Sequence, residues 1–205
     1  MNIAVFASGH GSNFAAILDA IRSGSLPARA CLLISNRSDA GAHDVARAQR
    51  IPTVHCSRQQ FASDAEFSDA MLALLRKHDA DMVALAGYLK RVPVPVVAAF
   101  RQQIVNIHPA LLPAFGGHGM FGHRVHEAVL ASGAKVSGAT VHLVDEEYDR
   151  GPIVAQRCVQ VLPDDTPETL AARVLTVEHI LYPETLAAFA RGCVRVDGQR
   201  AWIIP

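Results

Sequence analysis

Two polar side chains stand at the end of an apolar run, at a spacing suited to catalysis. Asn106 and His108 alternate with the apolar Val105 and Ile107, and Pro109 follows directly. Alternate side chains of a strand share a face, so Asn106 and His108 should point the same way, about 6–7 Å apart along the chain. An amide can donate a hydrogen bond to an oxyanion, and an imidazole can move a proton. A hydrogen-bonded histidine at a strand end is the simpler alternative, but the asparagine and the proline favour a functional site.

An acidic segment farther along the chain could supply a partner for this imidazole. Residues 145–150 contain four carboxylates: Asp145, Glu146, Glu147 and Asp149. Such a cluster is usually a solvated loop. If the segment folds back on His108, a carboxylate would hold the imidazole and raise its pKa by charge proximity. The histidine would then be protonated near neutral pH and could act as a general acid or as an oxyanion donor.

A glycine-rich turn near the start of the chain is the candidate anion site. Residues 8–13 read Ser-Gly-His-Gly-Ser-Asn and lie between an expected strand and an expected helix. The N–H groups and the dipole at a helix N-terminus suit a phosphate. The turn lacks the third glycine of a dinucleotide loop and the lysine of a triphosphate loop, so a single phosphate monoester fits best. An ordinary turn capped by Ser12 remains equally favoured on this motif alone.

Two other kinds of site are disfavoured. Three histidines and a glutamate lie close in sequence: His118, His123, His126 and Glu127. Their spacing matches no familiar zinc pattern, and the glycine-rich stretch 116–122 beside them indicates a mobile loop, so no metal is predicted. Neither Ser12 nor Ser137 lies in a Gly-x-Ser-x-Gly turn, which disfavours a serine hydrolase.

The first half of the chain alternates short β-branched runs with amphipathic ones. The predicted strands are residues 3–7, 31–35, 52–55, 82–86 and 104–108. The predicted helices are residues 14–21, 42–49 and 61–78. Strands separated by helices imply right-handed crossovers and a parallel sheet covered on both faces.

The second half differs in pattern. Residues 138–144 and 153–161 are strand-like and close in sequence, which predicts an antiparallel pair added to the sheet. Thr166 and Pro167 then form an N-cap and first helical position. The helix should run to about residue 192, with a bend at Pro183, and residues 194–204 should form a hairpin. We therefore predict an α/β, Rossmann-like fold: a mostly parallel twisted sheet with helices on both faces and antiparallel strands in the C-terminal half.

Composition limits the class of protein. Of the 205 residues, 50% are hydrophobic, and 19 basic residues balance 19 acidic ones. This excludes a disordered chain and disfavours a nucleic-acid partner. The sequence lacks a membrane-spanning run and a signal peptide, so we expect a cytoplasmic protein with no membrane association. The four cysteines have no zinc-like spacing and are expected to be reduced thiols among apolar neighbours.

Several motifs together resemble the glycinamide ribonucleotide formyltransferase family over nearly the whole chain. They are Gly9-His10-Gly11-Ser12-Asn13, residues 86–91 (Ala-Gly-Tyr-Leu-Lys-Arg), Asn106-x-His108-Pro109-x-Leu111-Leu112-Pro113, and Asp149-x-Gly151-Pro152. The resemblance implies transfer of a formyl group from 10-formyltetrahydrofolate, as co-substrate, to the amine of 5-phosphoribosylglycinamide in purine biosynthesis. It implies one domain over residues 1–205, with a phosphate-binding half to about residue 100 and a folate and catalytic half from about residue 101. The expected assembly is a monomer or homodimer.

The resemblance also implies residue roles. The catalytic set would be Asn106, His108 and Asp149. The ribonucleotide would be held by Gly11, Ser12, Asn13 and Glu178. The folate would be held by Leu89, Lys90, Arg91, Val92, Asp145, Glu146, Glu147 and Tyr148. The expected chemistry needs no metal and no covalent intermediate: Asn106 donates to the oxyanion, and a cationic His108, supported by Asp149, donates to it and then protonates the departing folate nitrogen.

The sequence departs from the family pattern at two places. Asp64 stands where some members carry a folate-contacting arginine, and the loop at residues 116–122 is longer and richer in glycine than in some members. The Asn-x-His-Pro segment is shared with formyltetrahydrofolate hydrolase and methionyl-tRNA formyltransferase. The hydrolase is therefore the alternative function, and a tRNA formyltransferase is a weaker one because the charge is neutral and a second domain is not evident.

Overall fold

A computed structural model describes residues 1–204 of the chain, which divide into two compact units. The first unit comprises Met1–Asn106, and the second begins at Ile107. The prediction of one domain with halves meeting near residue 100 stays a prediction. No helix among the described residues is long and apolar enough to cross a membrane.

The first unit is built on a parallel sheet. Its strands are β1 (Asn2–Phe6), β2 (Arg29–Ser35), β3 (Thr53–His55), β4 (Met82–Leu85) and β5 (Ile104–His108), whose last two residues belong to the second unit. The spatial order is β3-β2-β1-β4-β5, with every pair parallel. Residues 3–6 of β1 and all of β4 are buried. Since successive side chains point to opposite faces, both faces of the sheet are covered.

The helices of the first unit follow its strands. They are α1 (Ser12–Arg22), α2 (Ala42–Ala48), α3 (Asp64–Lys77) and α4 (Val94–Ala99), with a short 3-10 helix at Arg58–Gln60. The N-terminus of α3 is capped by Ser63, whose hydroxyl accepts a hydrogen bond from the backbone N–H of Glu66. Phe67, Met71 and Leu75 are among the residues of its buried face.

The second unit pairs its strands antiparallel. Its elements are α5 (His123–Ala131), β6 (Val136–Leu143), β7 (Ile153–Gln160), α6 (Pro167–Ala190), β8 (Val194–Asp197) and β9 (Arg200–Ile203). Strand β6 pairs with β7, and β8 pairs with β9 as a separate hairpin. Thr166 caps α6 by accepting a hydrogen bond from the N–H of Thr169, and Pro167 occupies the first turn. Pro183 lies inside this helix.

The α/β class, the parallel sheet and the antiparallel C-terminal strands are confirmed. Two helices were not predicted from the sequence: α4, and α5 directly after the glycine-rich stretch. The cysteine expectation holds for Cys31 and Cys56, which are buried free thiols. Cys158 and Cys193 are free thiols as well, but the expected burial is wrong for Cys158, which is exposed, and Cys193 is half-buried.

Candidate active site

The imidazole of His108 is buried at the end of β5 and is fixed by two contacts. Its Nε2 lies 2.9 Å from the backbone oxygen of Phe115, and its Nδ1 lies 3.6 Å from Oδ2 of Asp149. A carbonyl oxygen can only accept a hydrogen bond, so Nε2 carries a hydrogen and donates it. The other nitrogen therefore faces the carboxylate. The structure thus brings the strand-end histidine and the acidic segment together.

Asp149 is held in place from several sides. Its Oδ2 accepts a hydrogen bond of 2.8 Å from the backbone N–H of Gly117, and its backbone adopts a positive φ of 56°. Its side chain is 11% exposed. A non-glycine residue with positive φ costs about 1 kcal/mol or more and persists only where its surroundings impose it. The carboxylate position is therefore determined by the fold.

His142 is a third member of this cluster, which the sequence analysis did not identify. Its Nδ1 lies 2.8 Å from the carbonyl oxygen of Leu143, and its Nε2 lies 3.4 Å from Oδ1 of Asp149. The carboxylate of Asp149 thus lies between two buried imidazoles. The signal for His142 was present: Thr140 and His142 alternate with apolar residues in β6, as Asn106 and His108 do in β5.

The segment after His108 is anchored to β6 and β7. The hydroxyl of Thr140 donates to the carbonyl of Ala110 at 2.6 Å and accepts from the N–H of Leu112 at 3.0 Å. The amide of Gln156 donates to the carbonyl of Leu112 at 2.9 Å. These bonds position the turn that carries the Phe115 carbonyl onto the imidazole. Gly116 follows, where an added Cβ would lie 2.4 Å from the Leu112 side chain and 3.2 Å from the Cβ of Asp149.

The ionisation of the cluster differs in part from the expectation. Burial lowers the pKa of His108 below its usual value, and this outweighs the charge of Asp149, which acts in the opposite direction. The predicted net rise is therefore wrong, because desolvation of the cation is the larger effect. Burial tends to raise the pKa of Asp149, but its hydrogen bond with His142, the charge of His108 and the N–H of Gly117 together lower it. Asp149 is accordingly a carboxylate at neutral pH.

Asn106 stands two residues before His108 in the same strand. It is half-buried, whereas Val105 and Ile107 on the opposite side of the strand are buried. The alternation predicted from the sequence is therefore present, and Asn106 and His108 share one face of β5.

The glycine-rich turn of the first unit is an open helix N-terminus. Gly11 is the N-cap of α1 with a φ of 84°, and no side chain caps the helix. An added Cβ at Gly11 would lie 2.9 Å from the Cα of Ala42, so only glycine fits there. The first turn contains no acidic residue, and Asn13 is buried. The alternative of a turn capped by Ser12 is wrong, because the N-cap is Gly11 and no side chain caps the helix. A helix N-terminus without an acidic residue suits an anion.

The predicted folate residues lie in both units. In the first unit, residues 89–92 follow β4 at its carboxyl end, with Leu89 46% exposed and Val92 buried. In the second unit, residues 145–148 join β6 to Asp149, and the ring of Tyr148 lies edge-on to that of His118 at 5.8 Å. Asp64 begins α3 and pairs with Arg58 of the 3-10 helix.

Other candidate residues are spread over the second unit. Glu178 is a buried carboxylate within α6. His123 lies at the surface 3.8 Å from Glu168, whereas His126 is buried in α5. Among residues 1–204, no group of three side chains is arranged to hold a metal ion. Ser137 is buried within β6.

Comparison with known proteins gives one consistent result. Residues 1–186 match the family model described as formyl transferase. A phosphoribosylglycinamide formyltransferase from Arabidopsis thaliana, described as chloroplastic, is 50% identical over 199 residues, which are 96% of this chain and 68% of that protein. The Bacillus subtilis phosphoribosylglycinamide formyltransferase is 38% identical over 183 residues, 89% of this chain and 91% of that protein. The crystal structure of glycinamide ribonucleotide transformylase 1 from Symbiobacterium toebii superposes with a TM-score of 0.94 at 40% identity, covering 100% of this chain and 94% of that one.

Proposed function

The chain belongs to the formyl transferase family, and we propose that it transfers a formyl group from 10-formyltetrahydrofolate to the amine of 5-phosphoribosylglycinamide. The observation that carries this proposal is the contact of His108 with Asp149, whose Nδ1 and Oδ2 atoms lie 3.6 Å apart. Formyl transfer needs a group that donates to an oxyanion and then protonates a leaving nitrogen. A buried imidazole backed by a carboxylate supplies such a group.

The reaction begins with attack of the substrate amine on the formyl carbon, which places a negative charge on the formyl oxygen. We assign Asn106 and the Nε2 atom of His108 as donors to that oxygen. The Phe115 carbonyl now accepts from Nε2 at 2.9 Å, and the formyl oxygen takes its place as acceptor. Each such donor is worth about 3–4 kcal/mol of transition-state stabilisation.

Proton movement completes the transfer. The amine loses a proton as the new C–N bond forms, and the folate nitrogen gains one as its bond to the formyl carbon breaks. Because Nε2 of the resting ring carries the hydrogen, the amine proton is taken up at Nδ1 by way of the Asp149 carboxylate that faces it, and the Nε2 hydrogen passes to the folate nitrogen. Asp149 stabilises the imidazolium that forms between these two transfers. Because burial lowers the pKa of His108, the ring is a base in the resting site and an efficient acid once charged.

The substrate-binding roles are proposed residue by residue. We assign Gly11, Ser12 and Asn13 to the ribonucleotide phosphate, because the first turn of α1 is uncapped and carries no acid. Glu178 is assigned to the ribose. Leu89, Lys90, Arg91 and Val92 and the segment Asp145, Glu146, Glu147 and Tyr148 are assigned to the folate.

We also propose the co-substrate, the location and the oligomeric state of the protein. The reaction proceeds without a metal, with 10-formyltetrahydrofolate as co-substrate and no nucleic-acid partner. The protein acts in the cytoplasm as a monomer or homodimer.

One assay tests the reaction. The purified protein is incubated with 10-formyltetrahydrofolate, with and without 5-phosphoribosylglycinamide, and folate absorbance is followed. Turnover that requires the ribonucleotide supports the transferase. Turnover at the same rate without it would establish the hydrolase instead, with water as acceptor.

A further inference from the structure

A concavity lies in the second unit, beside the residue that follows Asp149 in the chain. It has a volume of about 510 Å³ and is formed where the start of β7 faces the turn and second strand of the β8–β9 hairpin. We call it the hairpin pocket. The residues that matter to its chemistry are Pro113, Arg150, Pro152, Gln199, Arg200 and Trp202. The volume falls within the range of small-molecule sites, about 300–1,000 Å³.

The charge of this pocket is positive and uncompensated. Arg150 and Arg200 both line it, and its wall contains no acidic residue. Asp197 lies opposite Arg200 in the hairpin register. Even so, among residues 1–204 neither arginine forms an ion pair with a carboxylate. Arginine is the side chain best suited to bind phosphate or carboxylate groups, because its planar fork donates two parallel hydrogen bonds.

The same pocket presents an aromatic surface. Trp202 is 42% exposed, although tryptophan is normally well buried. The guanidinium of Arg200 lies 6.0 Å from the centre of its ring. Pro113 and Pro152 add apolar surface. A flat ring can stack on exposed indole, and the neighbouring cation can hold an acidic group on the same molecule.

We propose that the hairpin pocket is a binding site for an aromatic anion of the nucleoside monophosphate class, distinct from the turn assigned to the ribonucleotide phosphate. The ring stacks on Trp202, and the phosphate is held by Arg150 and Arg200. Gln199 also lines the pocket and supplies an amide for the polar edge of the ring.

Intrinsic fluorescence provides a direct test, because Trp202 is the only tryptophan of the chain. We expect AMP to quench its emission with a Kd of about 1 mM or tighter. Adenosine, which lacks the phosphate, and ribose 5-phosphate, which lacks the ring, should each bind about tenfold more weakly. Arg150→Gln and Arg200→Gln should each weaken AMP binding about tenfold. Arg101→Gln removes a matched exposed charge in the first unit and should leave it unchanged.

Asn13→Asp separates this proposal from the proposed function. It alters the turn assigned to the ribonucleotide phosphate and should leave quenching by AMP unchanged. The ribonucleotide site and the hairpin pocket can therefore be refuted independently of each other. The hairpin pocket is refuted if AMP causes no quenching at about 10 mM, or if adenosine binds as tightly as AMP. The proposal would also be refuted if the Trp202 emission changed with protein concentration but not with added AMP. Trp202 would then contact a second copy of the chain.

Discussion

His142 contacts the carboxylate oxygen of Asp149 that His108 does not contact. The Nε2 atom of His142 lies 3.4 Å from Oδ1 of Asp149, and its Nδ1 atom is held by the carbonyl oxygen of Leu143 at 2.8 Å. Both nitrogens of this ring are therefore engaged, and both carboxylate oxygens of Asp149 have partners. His142 thus orients Asp149 towards His108.

We expect Asp149→Asn to lower kcat steeply, by about a hundredfold or more. The amide is nearly the same size as the carboxylate but cannot stabilise the His108 imidazolium. Steady-state kinetics with both substrates measure the change, and circular dichroism checks that the fold is kept. Asp164→Asn removes an exposed acid of the second unit to which no substrate role is assigned, and it serves as the matched control for net charge. Near-normal turnover of purified Asp149→Asn would refute its assignment.

His142→Gln should change the pH dependence as well as the rate. The hydrogen bond with His142 helps to lower the pKa of Asp149, so its loss raises that pKa. If the carboxylate is the active form, the acid limb of the pH–activity profile lies at a higher pH in the variant than in the parent protein. We also expect kcat to fall about tenfold, which corresponds to one orienting hydrogen bond. The measurement is kcat/KM across the pH range.

A matched histidine distinguishes this effect from a general change in charge. His123 is exposed and contacts Glu168 at 3.8 Å, so His123→Gln should leave both kcat and the acid limb unchanged. An acid limb of His142→Gln that coincides with that of the parent protein would exclude a role for His142 in the ionisation of Asp149.

Much of the fold follows from local sequence patterns. Strand β5 has the bounds predicted from its alternation, 104–108, and α6 begins at the predicted Thr166–Pro167 signal. Helix α5 was missed because its N-cap is Gly122 and its first turn contains no acidic residue, so it carries none of the usual start signals. Helix α4 has only six residues, Val94–Ala99, three of them valine. Its shortness and β-branched residues obscure a helical period.

The residues of the candidate site could be predicted from the sequence more fully than their protonation states. The pairing of His108 with a carboxylate of residues 145–150 follows from chemistry, and the structure places Asp149 there. The direction of the His108 pKa could not be derived from the sequence, because it depends on how deeply the ring is buried. The alternation of His142 with apolar residues is visible in the sequence, but it does not show that β6 places this ring beside Asp149.

Asn13→Asp should raise the KM for the ribonucleotide far more than that for the folate. Asn13 lies in the uncapped first turn of α1, where a new carboxylate would repel a phosphate and compete for the same N–H groups. We expect an increase of about tenfold or more for the ribonucleotide. Gln103→Glu adds the same charge at an exposed position of the first unit and should alter neither KM. Equal effects of Asn13→Asp on both substrates would contradict the phosphate assignment.

His126 should make the protein less stable in acid. It is 4% exposed in α5, and its Nδ1 atom has no hydrogen-bond partner among the described residues. Burial, with smaller contributions from His123 and His108, lowers its pKa from 6.5 to about 4. The unfolded chain therefore binds the proton more readily than the folded one. The stabilising effect of the neutral ring is full above pH 6.5 and is lost as the pH falls towards 4, at a cost of about 1–3 kcal/mol.

Replacement of this ring by an apolar side chain should remove most of that dependence. We expect the free energy of unfolding of His126→Leu, measured by urea denaturation, to vary less with pH between about 4 and 6.5 than that of the parent protein. Part of the slope should remain, because burial also lowers the pKa of His108. His10→Gln removes an exposed histidine and should leave the slope unchanged. If His126→Leu retains the full slope of the parent protein, His126 is not the group whose protonation opposes folding, and other histidines whose pKa is lowered by burial, such as His108 and His179, become the candidates.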